Sequence, residues 1–347
     1  MVEIALRAQP ETGRAATRVP TGVVVIVLEL LTVLLCLVSL AVGSQSLTLE
    51  ELVSAFVPGE RTVASIIVWQ LRMPRTVLAA MVGAALAVAG VVMQGLTRNP
   101  LAEPGILGVN AGASLSVVLS MSLLGLTGVG DFLWFAFAGA ALAAFLVHLI
   151  SVRSADAGPA RLVLAGVALG ASLRSITGTV TMYDSVTFDS YRFWVLGSLV
   201  DRDAELLVWV APFLVVGLVL ALASGLTLNA LALGEEQAQA LGVSPRRARA
   251  LALTSITLLC GASTAAVGPI SFVGLVVPHV LRLALGADQR KLLVVSVVAG
   301  PVLLLAADIL GRVILDSGEM EAGVVTAFIG GPVLLLMVIQ RMGVRGR

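Results

Sequence analysis

Ten stretches of this chain are each apolar over roughly 20 residues, the length an α-helix needs to cross a hydrocarbon layer about 30 Å thick. They fall near 22–43, 76–96, 106–126, 132–151, 162–182, 206–226, 250–267, 271–286, 292–311 and 323–340. In lipid every backbone N–H and C=O has to be satisfied within the spanning structure, which here dictates helices. A soluble domain has no way to hide so much apolar surface: 58% of the residues are hydrophobic and 12% charged, against about 25% charged in ordinary soluble domains. The expected fold class is therefore an all-α integral membrane protein of about ten transmembrane helices. The segment 271–286 is short for a full crossing and fits a tilted or partly re-entrant helix.

Arg7, Arg14 and Arg18 precede the first apolar run. That run exceeds the roughly 7–15 residues of a secretory h-region, so it reads as a retained first helix behind a cytoplasmic tail, 1–20. Residues 21–347 form one transmembrane domain. Ten crossings bring both termini to one side, and that side collects fifteen of the 22 basic residues, among them Arg98, Arg246, Arg247, Arg249, Arg282 and Lys291. The opposite side holds six: Arg61, Arg72, Arg75, Arg192, Arg202 and Arg312. The positive-inside rule assigns the richer side, and both termini, to the cytoplasm.

Several function classes are excluded at this stage. Cys36, Cys260, His148 and His279 are scattered through separate segments, which argues against a disulfide framework or a structural metal site. A net charge of +1 offers nothing to nucleic acid. A phosphate-cradling loop needs a glycine-rich stretch ending in Gly-Lys-Ser/Thr, and Lys291, the single lysine, stands between Arg290 and Leu292. No nucleophile–base constellation is visible, so the chain reads as a non-enzyme that binds no cofactor. Buried acids lining a pathway would suit an ion-coupled secondary transporter, but the spans offer only Glu29, for which no role is evident, and Asp308. No filter-like motif suggests a channel.

Two connections are longer than a hairpin needs. The external one, 183–205, contains Trp194 and is expected to carry a short surface helix. The internal one, 227–249, is broken by Gly234 and Gly242, with Glu235-Glu236 opening one piece and Pro245-Arg246-Arg247 ending it. Acids at a helix start and arginines beyond its end suit the macrodipole. Arg174 sits mid-span in LGASLRSITGTV, where a charge is costly unless it faces water or a partner. His279 and Arg282 share a helical face as a packed pair, Asp308 offsets Arg312 at i+4, and Asn99-Pro100, with Glu103 beside them, fit a structural turn.

Longer motifs carry a family resemblance: Leu71-Arg72-Met73-Pro74-Arg75, RNPLAEPGILGVNAGA at 98–113, LVLAGVALGA at 162–171, WVLGSL at 194–199, LNALALGEEQAQALGVSPRRAR at 228–249, VGPISFVGLVVPHVLRL at 267–283 and AGVVTAFIGGPVLLLMV at 322–338. From about residue 45 onward the chain resembles the permease subunits of ABC importers for ferric siderophores, haem and cobalamin. The resemblance implies two such ten-helix subunits, identical or homologous, around a central pathway in the bacterial inner membrane. Separate ATP-hydrolysing subunits would lie beneath and an extracytoplasmic substrate-binding protein above. It implies that Arg72, Arg75 and Arg312 dock the binding protein. In the cytoplasmic segment 227–249, Leu233, Gly234, Glu235, Glu236, Ala240, Leu241, Gly242 and Val243 would couple to the ATPase. The fifth helix, with Leu169, Ser172, Arg174 and Thr177, would line the pathway. A ferric siderophore is the expected cargo, Arg174 meeting an anionic group on it, with haem and cobalamin as alternatives.

Overall fold

A computed structural model describes residues 20–43, 47–57, 62–126, 128–152, 159–315 and 318–345. The expected tail at 1–20 lies outside them except for Pro20, as do Arg61 and Arg153. Every regular element among them is helical. In chain order these are α1 (Thr21–Ala41), α2 (Leu49–Ser54), α3 (Val63–Ile66), α4 (Met73–Thr97), α5 (Val109–Leu124), α6 (Val129–Val152), α7 (Pro159–Tyr183), α8 (Ser185–Trp194), α9 (Ala204–Ala223), α10 (Gly225–Ala232), α11 (Glu235–Ala240), α12 (Pro245–Val267), α13 (Val273–Leu285), α14 (Gln289–Val313) and α15 (Ala322–Arg345). The surface helix expected in 183–205 is α8.

Eight helical stretches among the described residues are long and apolar enough to cross a membrane. The two remaining expected spans are the shorter apolar helices α5 and α13, of 16 and 13 residues, which rise about 24 and 20 Å at 1.5 Å per residue; α13 is short as expected, whereas α5 is shorter than its apolar run suggested. The chain shows why both are short. The expected helix at 106–126 is interrupted by a 3₁₀ turn, Pro104–Leu107, and by Gly108 at φ 78°, so α5 starts at Val109. Helix α13 starts only after Phe272, at φ 70°, beside the inner half of α4.

Helix α4 is the hub. Of its most apolar window 83% is buried inside the protein, against 11% for α1, and its pairing with α14 is the most extensive in the fold. Small residues make this possible, because backbones approach closely only where side chains are absent. A methyl on Gly83 would lie 2.6 Å from the Gly300 carbonyl oxygen of α14, and one on Gly90 would overlap the Gly274 carbonyl of α13. Gly112 and Gly139 join α5 to α6 in the same way. The start of α4 is also shaped by its sequence. Pro74 lacks the N–H that would bond back to residue 70, and the preceding turn, Ile67–Arg72, is widened into a π-helix.

The outer surface of the bundle is apolar. Val23, Val27, Leu30 and Leu34 of α1 are more than 45% exposed, as lipid-facing positions should be. Glu29, expected to be a buried acid, is exposed on that same helix. Nothing in the structure explains it.

Candidate functional site

Two polar regions stand at opposite ends of the bundle. On the side assigned outward, the starts of α4 and α9, the end of α14 and the loop before α15 enclose a cavity of about 590 Å³. Four arginines line it, Arg72, Arg75, Arg202 and Arg312, together with Asp201, Asp203 and Glu319. The three arginines read as docking residues therefore do come together, but not as free exposed charges. Arg72 donates from Nη1 to the carbonyls of Leu40 and Ala41, both at 2.7 Å, and packs against Gly43. Arg75 reaches Asp308 at 2.7 Å and Glu319 at 2.6 Å. Arg312 donates to the Ser39 carbonyl at 2.7 Å, to its hydroxyl at 3.0 Å, and to Asp308. Asp308, 1% exposed, thus serves two arginines where the sequence suggested only the i+4 partner. A buried charge left alone is very costly, and the internal partners meet that cost.

Arg202 and Glu319 were missed as site residues. Arg202 was visible only as one of six outer basic residues, and neither lies in a periodic or motif context. The signal available was the sparse set of charges on the outer side. The loop holding Arg202 is fixed from two directions: Ser198 N–H donates to the Val267 carbonyl at 2.8 Å, and Gly323 N–H to the Gly197 carbonyl at 3.0 Å. Gly197 at φ 75° and Asp201 at φ 53° supply the turn.

At the inner end, α10 and α11 form a compact bracket between α9 and α12. Gly234 at φ 120° and Gly242 at φ 79° bound α11, as the breaks in the sequence suggested. Ala230, Leu231, Ala238 and Ala248 pack together with Val243 against them. Glu235, in the first turn of α11, pairs with Arg249 of α12 and lies 3.7 Å from Arg98 at the end of α4. Asn229 donates to Asp288 at 2.9 Å and accepts from Gln289 N–H at 2.9 Å, clipping α10 to the start of α14. The Asn229 amide, aided by Arg290 N–H and Lys291, holds the Asp288 carboxyl below the usual carboxylate range. The structure differs from the sequence expectation at the end of this segment. Pro245-Arg246-Arg247 does not end the bracket; Pro245 is the first residue of α12, where its missing N–H is harmless. Leu233 and Leu241 are 64% and 63% exposed. Glu236, Ala240 and Gly242 are exposed as well.

The residues read as pathway-lining separate. On α7, Ser172 and Arg174 are exposed and Leu169 is half-buried. Thr177 is 4% exposed and its hydroxyl bonds back to the Leu173 carbonyl at 2.9 Å, so it turns inward. The Arg174 guanidinium lies back over Gly170, about 3.7 Å from where a methyl there would stand. Only 17% of the most apolar window of α7 is buried. Arg282 of α13 donates to Gln94 at 3.0 Å, and Glu103 accepts from Phe272 N–H at 2.8 Å, which makes both structural links to α13. The described residues contain no cluster of three or more potential metal ligands.

Residues 31–340 match the FecCD transport family. The chain belongs to that family. The ferric enterobactin transport system permease FepD of Escherichia coli is 44% identical over 316 residues, covering 90% of this chain and 94% of FepD. The vitamin B12 import system permease BtuC of Vibrio cholerae is 42% identical over 278 residues, covering 79% and 83%. A solved inward-facing chain of the metal-chelate type of ABC transporter superposes with a TM-score of 0.81 at 28% identity, covering 92% of this chain and 99% of that one. This FecCD chain is a multi-pass permease of the ABC importer type whose relatives serve siderophores, haem and cobalamin.

Proposed function

We propose that this chain is the membrane-spanning subunit of an ATP-driven importer for a ferric siderophore in the bacterial inner membrane. It crosses ten times with both termini cytoplasmic, and α5 and α13 contribute the two short crossings. The observation that carries the reading is the bracket α10–α11. It is clipped to α4, α12 and α14 by Glu235 and Asn229, yet presents Leu233 and Leu241 uncovered. Apolar side chains on a polar, cytosolic segment call for a covering surface, and a separate ATPase subunit supplies it. Force applied to the bracket reaches three membrane helices at once, which suits rigid-body rocking.

At the other end, the arginine cavity receives acidic side chains of an extracytoplasmic binding protein, opposite charge steering the encounter. The open face of α7 forms the seam with a second permease subunit, identical or homologous, and the translocation pathway runs along it. Arg174 meets the anionic donors of the chelate there. The chain itself binds no cofactor and hydrolyses no ATP; its partners are the ATPase subunits, the binding protein, the second permease and lipid, with no nucleic acid. The experiment that tests this is uptake by the assembled importer in proteoliposomes, offering a ferric catecholate, ferric citrate, haem and cobalamin separately. ATP-dependent accumulation of a ferric chelate is expected. Accumulation of haem or cobalamin alone would replace the cargo, and uptake driven by an ion gradient without ATP would replace the mechanism.

A further inference from the structure

Among the four cavity arginines, three are already occupied. Arg75 and Arg312 share Asp308, with Glu319 and Ser39 beside them, and Arg72 grips the end of α1 through Leu40 and Ala41. Arg202 differs. It is 9% exposed, and among the described residues its one hydrogen bond runs from Nε to the Ser198 carbonyl at 3.3 Å. Among the described residues neither terminal nitrogen has a partner, and the side chain lines the cavity. Burial pushes its pKa down to about 10, and the neighbouring Asp201 opposes this only in part. A cation held nine-tenths buried with no carboxylate in ion-pair contact among the described residues is expensive to keep, and its loop is pinned to the end of α12 and the start of α15, so the position is built in. Three acids, Asp201, Asp203 and Glu319, share the walls. They disfavour a free polyanion filling the cavity, and leave room for single carboxylates carried in at the tip of a side chain.

We propose that Arg202 is the principal receptor for an acidic side chain of the extracytoplasmic binding protein, the other three arginines acting chiefly as the braced wall around it. The inference rests on the docking reading above and moves its centre to a residue outside the Arg72, Arg75 and Arg312 set. The partner's carboxylate supplies the direct ion pair that Arg202 does not make among the described residues, in a cavity where water is partly excluded and the pair is worth more than at an exposed rim.

The test uses the full-length permease in lipid nanodiscs and the purified substrate-binding protein of the same importer, with Kd measured at low and high salt. Arg202→Gln is expected to weaken binding about tenfold or more, Arg202→Lys to restore part of it, and the salt dependence to shrink in the Gln variant. The melting temperature of Arg202→Gln is expected to equal or exceed that of the wild type, because an uncompensated buried charge has gone. Equal affinity of the wild type and Arg202→Gln would overturn the assignment, as would weaker binding accompanied by a lower melting temperature. No affinity of the wild type for the binding protein would instead overturn the docking reading itself.

Discussion

Arg75 at the outer end of α4 and Asp308 on α14 meet at 2.7 Å, with 11% and 1% of their side chains exposed. The pair closes the most extensive helix contact in the protein at its outer edge. Asp308 also takes Arg312, so one carboxylate is shared by two guanidinium groups, with Glu319 as the second acid on Arg75. Asp308→Ala would leave Arg312 without a carboxylate and Arg75 with Glu319 alone, and the expected loss is about 3–5 kcal/mol, the usual effect of breaking a buried pair from one side. Thermal unfolding of the purified protein measures it. Replacing Arg312 and Asp308 together by Met and Leu, which keeps the Arg75–Glu319 pair, is expected to recover part of the loss.

Close backbone approach makes a second prediction. A methyl at Gly90 would overlap the Gly274 carbonyl, while one at Gly22 of α1 meets nothing within 4 Å. Gly90→Ala is expected to cost about 1–3 kcal/mol by overpacking. Gly22→Ala should leave the melting temperature unchanged or slightly higher, since Ala is the better helix former.

The clip between α10 and α14 is sensitive to acid. The lowered Asp288 pKa means that its contribution to stability is complete above the unfolded carboxylate value of about 3.9 and fades as pH falls through the folded value. Asn229→Ala removes the donor to Asp288 and the acceptor for Gln289 N–H, at a cost of about 1 kcal/mol. Melting temperatures measured from pH 6 to pH 3 should show a smaller acid-induced drop in Asn229→Ala than in the wild type. ATP-dependent uptake at pH 7 should fall further than this stability loss explains, because the bracket would no longer pull on α14.

Arg174 separates cargo from scaffold. Among the described residues it forms no ion pair, and it stands on the open face of α7. Arg174→Gln is expected to leave the melting temperature within error and to reduce uptake of an anionic ferric chelate by roughly an order of magnitude, the effect of losing one charge-assisted contact. Unchanged uptake would remove Arg174 from the pathway.

The helices were legible because lipid imposes a length and forbids loose backbone, and every apolar run contains the core of a helix. What the sequence concealed was three-dimensional. Pro104-Gly105, Gly108 and Gly125 were local breakers that a count of apolar residues passes over, and together they cut a 21-residue run to 16, whereas nothing local says that α13 begins only after a left-handed Phe272. The glycine breaks at 234 and 242 foretold the bracket, whereas the role of Pro245 depended on which side of it the helix grew. The outer arginines were found from topology and resemblance, but their state was not. Asp308 is 233 residues from Arg75 and Glu319 is 244 away, so no spacing rule links them. Arg202 was hidden for the same reason: that its terminal nitrogens face the cavity without an ion pair among the described residues is a property of the fold.

In the proposed importer, the bracket carries force from a separate ATPase into the membrane helices. Leu233→Glu with Leu241→Glu alters only its exposed face, so the melting temperature of the permease should stay within about 0.5 kcal/mol of wild type in stability terms. The decisive measurement is ATP-dependent accumulation of labelled ferric siderophore in proteoliposomes containing the assembled importer, wild type beside the double variant. The expected result is accumulation in the wild type and its loss in the double variant, with the ATPase no longer co-purifying. Full accumulation by the double variant, with the ATPase still bound, would contradict the central claim.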